Sequence, residues 1–365
     1  MLPRTPSYRL DGKRAVVIGG SRGIGLGCAV ALAEQGASVV IVARSKGQVF
    51  ETVNEMKSEG FSVSGAPMDV SIIDNVKNLM GEYSDIDILV PCISDTIDAS
   101  IIKAAKKLKL ISNFGNGVDN LDLVTAKENN IIVTNTPDVL TEDTADLVLT
   151  MILMISRKVL EAQKDLVDGN WSGWGPSETM GTRVRGKKVG IIGMGRIGSA
   201  VAKRLKTLGM NINYYNRKRL PIRLEKNYSA TFFPDLNSML SISDFVTIHC
   251  PYTPETFHLL SKKRLKMLKK NCIVINTSRG EIVDEQALAV MLNNGSIGGA
   301  GLDVFEHEPQ VSQKLLESKN VVLLPHISSA TEESRIDMGE RVIKNISTFL
   351  YGKTPPDIIK KNVYD

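Results

Sequence analysis

The sequence is poor in cysteine. It has only Cys28, Cys92, Cys250 and Cys272, and they show no metal-ligand spacing. Each lies in an apolar stretch, so reduced core thiols in the cytoplasm are expected rather than a disulfide scaffold. No charge of one sign dominates: 45 Lys and Arg stand against 40 Asp and Glu, a net charge of +5. The densest basic runs, 103–109 and 262–270, read as outer faces of helices, which gives a nucleic-acid partner no support. Long apolar runs are also missing. The longest, 147–155, is too short to cross a bilayer. The first residues, MLPRTPSYRLDGK, lack the apolar centre of a signal peptide. No solenoid repeat, low-complexity tract or metal site is expected.

What is present is enough for two ordinary α/β domains: 365 residues, 42% apolar and 23% charged. The most informative stretch is VGIIGMGRIGSAVAKRLKTLGMNINYYNRK, residues 189–218. A buried strand over 189–192 runs into Gly193-Met194-Gly195-Arg196-Ile197-Gly198. A helix follows with Ile197, Val201, Leu205 and Leu208 on one stripe, then a strand over 212–215. Gly193 permits the tight turn, Gly195 lets backbone approach a pyrophosphate, and Gly198 lets helix lie on strand. Dinucleotide binding by Gly193, Gly195, Arg196, Ile197 and Gly198 is expected, with phosphates at the helix N-terminus. An NAD site wants an acid about 20 residues on. Here stand Asn216, Arg217, Lys218 and Arg219. The missing carboxylate beside three cations favours NADP(H) over NAD(H).

A second glycine loop, GGSRGIG from Gly19 to Gly25, follows a strand over 14–18. It could hold a second dinucleotide, with Arg22 and Arg44 placed as 2′-phosphate partners. The segment 9–88, after a mobile lead-in over 1–12, resembles the N-terminal part of a short-chain dehydrogenase/reductase, in which Asp69 would meet adenine. After the strand over 86–90 the likeness stops: Pro91-Cys92-Ile93-Ser94 replaces that family's Asn-Asn-Ala-Gly turn. Its Tyr-x-x-x-Lys helix is absent too. Tyr214 and Lys218 match the spacing, but at a strand end.

Three polar residues follow successive strands: Arg279 after CIVINTS, Glu308 after GLDVFEH, His326 after VVLLP. In a doubly wound sheet these loops face the dinucleotide crevice. Their types suit reduction of an α-keto acid. Arg279 can grip a carboxylate, His326 can protonate a ketone oxygen, and Glu308 can orient the imidazole. His249 is the rival histidine, whereas His258 and His307 read as solvated.

Residues 87–352 resemble the D-isomer-specific 2-hydroxyacid dehydrogenases, glyoxylate/hydroxypyruvate reductases in particular. The chain reads as a chimera joined at a strand beside the first strand of its sheet, so an order 3-2-1-4-5-6 could close. The resemblance implies a fold of two Rossmann-like or flavodoxin-like doubly wound parallel-sheet domains with an interdomain cleft. The substrate domain would be 1–140 plus 331–365 and the NAD(P)-binding domain 141–330. A long helix over 141–167 would link them, and a helix over 331–351 would return. The resemblance also implies Arg279, Glu308 and His326 as catalytic residues. It implies substrate-carboxylate binding at Asn116 and Gly117 within NFGNGVDN, the alternative being a helix-entry turn capped by Asp119. Pro251 and Thr277 would touch the cofactor and Asp303 the nicotinamide carboxamide. Trp171 and Trp174, in a loop over 169–181, would be homodimer contacts. The function implied is NADPH-dependent reduction of a small 2-keto acid to the D-2-hydroxy acid. The alternatives are an NADP-binding sensor without turnover and a short-chain ketoreductase.

Overall fold

Uninterrupted apolar runs become strands buried on both faces. Val39, Val40, Ile41 and Val42 are each at most 1% exposed. The computed structural model describes residues 9–70, 72–82 and 85–359; of the lead-in over 1–12, positions 1–8 lie outside them. The chain forms two compact units, Met1–Val139 with Thr331–Asp365, and Leu140–Ala330.

The first unit holds β1 (Arg14–Ile18), β2 (Ser38–Ala43), β3 (Val63–Pro67), β4 (Ile88–Val90), β5 (Leu110–Ser112) and β6 (Ile132–Thr134). They form one sheet in the order β3-β2-β1-β4-β5-β6, with every strand pair parallel. The order expected at the junction is the order found: β4 joins β1 by Ala15↔Ile88, Val16↔Leu89 and Val17↔Val90. Helix Glu332–Leu350 buries Val342 and Ile346 in the same cluster as Ala29 and Leu32 of helix Gly23–Glu34.

The second unit holds β7 (Lys188–Ile192), β8 (Asn211–Tyr215), β9 (Ala230–Phe232), β10 (Phe245–Ile248), β11 (Ile273–Asn276), β12 (Gly299–Leu302) and β13 (Val321–Leu323). Its order is β13-β12-β11-β10-β7-β8-β9, also parallel throughout. Both sheets therefore reverse direction beside their first strand. That reversal places a crevice at the carboxyl ends of the strands, where such sheets bind ligands.

The single helix expected over 141–167 is two: Thr141–Ser156 and Val159–Val167. Lys158 between them is left-handed, at φ 51°. The returning chain explains the break: Thr182 N–H donates to the Ser156 carbonyl at 2.6 Å, and a Cβ on Gly181 would lie 2.4 Å from that oxygen. Tertiary contact ends a helix that local propensity would continue. Strand β9 was not anticipated; it is a three-residue edge strand, half-buried or exposed. Of the four cysteines, all free, Cys28 and Cys272 are buried as expected, while Cys92 and Cys250 are only partly so. Among the described residues no helix is long and apolar enough to cross a membrane.

Candidate active site

The glycine turn after β7 is built by exclusion. Gly193 has φ +90°, and a Cβ there would lie 2.5 Å from the backbone nitrogen of Cys250, beyond the neighbouring β10. A Cβ on Gly198 would lie 2.3 Å from the Gly193 carbonyl oxygen. A Cβ on Gly195 would meet nothing within 4 Å, so open space faces this backbone. The helix Arg196–Thr207 has Gly195 as N-cap, no side-chain cap and no acid in its first turn. By contrast Asp98, Asp122, Asp235 and Asp284 cap other helices with their own carboxylates. The uncapped amides and open backbone fit a dinucleotide pyrophosphate. Thr277, beyond β11, is 7% exposed, and its hydroxyl has no partner among the described residues. A buried orphan hydroxyl at a strand end fits a group supplied by a ligand.

At the end of β8, the Asn216 side-chain oxygen accepts the Met194 N–H at 2.7 Å, which pins the glycine turn. Of the three cations expected to face the cofactor, Arg219 is not available. Arg219 pairs in a fork with Glu225, both bonds 2.8 Å. The buried Tyr214 hydroxyl also donates to Glu225, at 2.6 Å. Those two bonds hold the Glu225 carboxyl at about 2. Burial first, then the Glu225 bond, pushes Tyr214 up to about 12, and Lys218 is exposed elsewhere on the turn, so these two are no catalytic Tyr/Lys pair. Arg217 and Lys218 are exposed and make no hydrogen bond or ion pair among the described residues.

The polar triplet sits at adjacent strand ends, on β11, β12 and β13. The turn after β11 is bracketed by Asn276, 1% exposed. Its amide donates to the Arg279 carbonyl at 2.8 Å, and its oxygen accepts from Ser278 N–H at 3.0 Å. Arg279 is half-buried and donates to the Ser278 carbonyl at 2.7 Å. Beyond β13, His326 adopts φ +55°. Its Nδ1 lies 2.9 Å from Glu308 Oε2, while Phe305 N–H donates to Glu308 Oε1 at 3.0 Å. Burial raises the Glu308 carboxyl, but the bond and charge of His326, the Phe305 N–H and the Arg279 charge outweigh it, and the net shift is downward. The two side chains are 24% and 36% exposed.

Asp303, fully buried after β12, accepts from Ile327 N–H at 2.7 Å and Ser328 N–H at 2.8 Å. It holds the two amides that follow the left-handed His326. That anchor was not legible in the sequence. The rival His249 is set aside: burial pushes it down to about 3, and its ring bonds Thr247 Oγ1 at 2.8 Å. Pro251 follows at the same strand end, exposed. His258, expected to be solvated, instead meets Glu306 at 2.8 Å and stacks on Phe257 with ring centroids 4.1 Å apart. His307 is exposed, as expected.

In the first unit, the loop after β5 is held by its own carbonyls. The Asn116 oxygen accepts from the Asn135 amide at 2.7 Å and the Gly117 oxygen from Asn113 at 2.8 Å. Asn113 is fully buried. The next helix, Leu123–Glu128, is capped by Asp122 rather than Asp119. The loop Gly19–Gly25 shares two features with the other glycine turn, a left-handed first glycine and a last glycine packed on its carbonyl. Gly19 has φ +74°, and a Cβ on Gly25 would lie 2.2 Å from the Gly19 oxygen.

The family described as D-isomer specific 2-hydroxyacid dehydrogenase, NAD binding domain, matches residues 149–328. The short chain dehydrogenase family matches residues 13–108. A glyoxylate reductase of Thermococcus litoralis is 44% identical over 289 residues, 78% of this chain and 87% of the relative. Among solved structures, an NADPH-dependent glyoxylate/hydroxypyruvate reductase from Sinorhizobium meliloti, with NADP and malonate, superposes at TM-score 0.75 and 31% identity. The match covers 88% of this chain and 96% of that one. A glyoxylate reductase from Paecilomyes thermophila gives TM-score 0.76 at 28% identity, covering 96% and 99%.

Proposed function

The chain belongs to the D-isomer specific 2-hydroxyacid dehydrogenase family, and we propose that it reduces glyoxylate, hydroxypyruvate or a similar small 2-keto acid with NADPH. Reduction of a 2-keto acid with a nicotinamide cofactor is the family's chemistry. The observation that carries it is the His326–Glu308 pair at 2.9 Å, with Arg279 on the adjoining strand end.

A bound reduced nicotinamide supplies hydride to the keto carbon. Arg279 binds the substrate carboxylate and polarises the ketone. The Glu308 bond at Nδ1 fixes the imidazole, which leaves Nε2 as the ring nitrogen whose N–H is delivered to the ketone oxygen. The product is an alcohol at carbon 2, and the reverse reaction returns that proton to Nε2. In the first unit, Asn116 and Gly117 take the proposed role of carboxylate contacts. Gly193, Gly195, Arg196, Ile197, Gly198, Asn216, Pro251, Thr277 and Asp303 take that of cofactor contacts.

NADPH preference rests on Arg217 and Lys218, exposed beside an Asn216 whose oxygen already serves Met194 N–H. None of residues 216–219 is an acid that could accept the ribose hydroxyls. A charge-assisted bond contributes about 1.5–3 kcal/mol. Arg217→Ser with Lys218→Ser should therefore lower kcat/KM for NADPH by roughly ten- to hundredfold and leave NADH little changed. Steady-state glyoxylate reduction with both cofactors tests this. Equal use of NADH and NADPH by the wild type would remove the preference.

We propose a homodimer. Helix Val159–Val167 has no buried residue. Leu166, Val167, Trp171, Trp174 and Met180 are 58–86% exposed. Large apolar side chains left exposed together along one stretch of chain point to an interaction face. Light scattering should report a dimer for the wild type and monomer for Trp171→Ser/Trp174→Ser. A wild-type monomer at micromolar concentration would end the idea.

A further inference from the structure

Three strand-end loops of the second unit are tied together behind Arg279. His258, after β10, donates its N–H to the Glu281 carbonyl at 2.8 Å, and Leu260 N–H bonds the Ile282 carbonyl at 3.0 Å. Both carbonyls belong to the 3-10 turn Gly280–Ile282 that Arg279 caps. The His258 ring reaches the third loop: Nε2 lies 2.8 Å from Glu306 Oε1. Their side chains are only 29% and 14% exposed. The middle loop lies directly on the third. A Cβ on Gly280 would fall 1.9 Å from the Phe305 carbonyl carbon and 2.3 Å from the Glu306 nitrogen. Glu306 N–H in turn donates to Glu285 at 3.1 Å. Two residues on, Glu308 holds His326. His258 keeps φ +45°, a strained value for a residue with a side chain, so its surroundings over-determine it.

We propose that His258 and Glu306 are positioning residues: a second His–Glu pair that fixes the Arg279 turn against the Glu308 loop, so that the guanidinium meets the keto-acid carboxylate already oriented. This rests on the reading of Arg279 as substrate binder. Neither residue touches substrate. Their bond closes a ring whose other sides are the Glu281 carbonyl, the Gly280 backbone and the Phe305–Glu306 peptide. Opening the ring at its side-chain link leaves the glycine contact intact, so the fold survives while the turn gains freedom. A displacement of about 1 Å at a binding group can cost on the order of a hundredfold in rate. Because Arg279 acts on the substrate and not on the nucleotide, the loss should fall on keto-acid KM.

The test is steady-state kinetics of His258→Ala, His258→Gln, Glu306→Gln and the His258→Ala/Glu306→Gln double variant, with melting temperature recorded. Expected for His258→Ala is a rise of roughly tenfold or more in glyoxylate KM, a smaller change in kcat and an unchanged NADPH KM. His258→Gln, whose amide can still donate to Glu306, should recover part of that loss. The double variant should be no worse than the worse single variant, because both break one link. A lowered melting temperature with unchanged kinetics would overturn the proposal, as would additive losses or an equal rise in NADPH KM. If Arg279→Ala itself leaves glyoxylate KM unaltered, the Arg279 reading fails first. The positioning proposal is overturned separately, by His258→Gln losing as much as His258→Ala while Arg279→Ala is itself impaired.

Discussion

Changing His326 to alanine is expected to lower kcat for glyoxylate reduction by roughly 10²–10⁴-fold, the range of a positioned general acid. NADPH binding, measured by fluorescence titration, should stay as it is, because the imidazole is no part of the glycine turn. Arg279→Ala should raise the keto-acid KM and lower kcat/KM by a comparable factor, since it removes both carboxylate binding and polarisation of the ketone. Arg279→Lys should rescue poorly, as a point charge cannot reproduce a planar fork of donors. Near-full glyoxylate reduction by either alanine variant would remove the assigned roles.

Glu308 gives this prediction a pH dependence. Its carboxyl is held below the ordinary glutamate value of about 4.3 by the His326 bond and charge, against burial that raises it. A carboxyl lowered in the folded state adds stability that is fully present above its ordinary value. That contribution declines as pH falls through the lowered value. The His326–Glu308 contact should therefore persist through neutral and mildly acidic solution and weaken only below about pH 4. Glu308→Gln has no carboxyl to titrate. Its melting temperature should lose the part of the acid decline that this pair contributes, and its kcat should fall because the ring loses a charged partner.

Much of this is legible in the amino-acid sequence. The glycines are, because each role is steric and one residue type fills it: Gly193 and Gly198 are where a Cβ meets backbone at 2.5 and 2.3 Å. The Arg279, Glu308 and His326 positions are, because parallel strands in a doubly wound sheet must end on one edge. What is hidden depends on partners distant in sequence or on a choice among equals. Three cations follow Asn216, and only the fold shows that Glu225 takes Arg219 from the set. Two glutamates flank His307, and only the fold sends Glu306 to His258 and Glu308 to His326. The helix break at Lys158 carries no glycine or proline; it is set by Thr182, more than twenty residues on.

Asp303→Asn should be the most damaging isosteric change in the second unit. The carboxylate is fully buried and accepts from two amides, Ile327 N–H and Ser328 N–H, one on each oxygen. Asparagine keeps the shape but offers one acceptor. Its amide nitrogen would face the second N–H, donor against donor. A buried donor left unmade costs about 1–3 kcal/mol, so the melting temperature should fall by several degrees. Activity should fall further than stability. His326 is left-handed, at φ +55°, a conformation kept only when neighbours hold it, and these two bonds clasp the peptides that follow it. Burial already raises the Asp303 carboxyl, against the pull of both amides and the nearby His326. Asparagine has no charge to offer that ring. A kcat loss of about tenfold or more in a protein still folded at assay temperature is the expected result, since misplacing a reacting group by about 1 Å suffices. Wild-type kcat in Asp303→Asn, with only the melting temperature lowered, would show that His326 holds its place without this anchor.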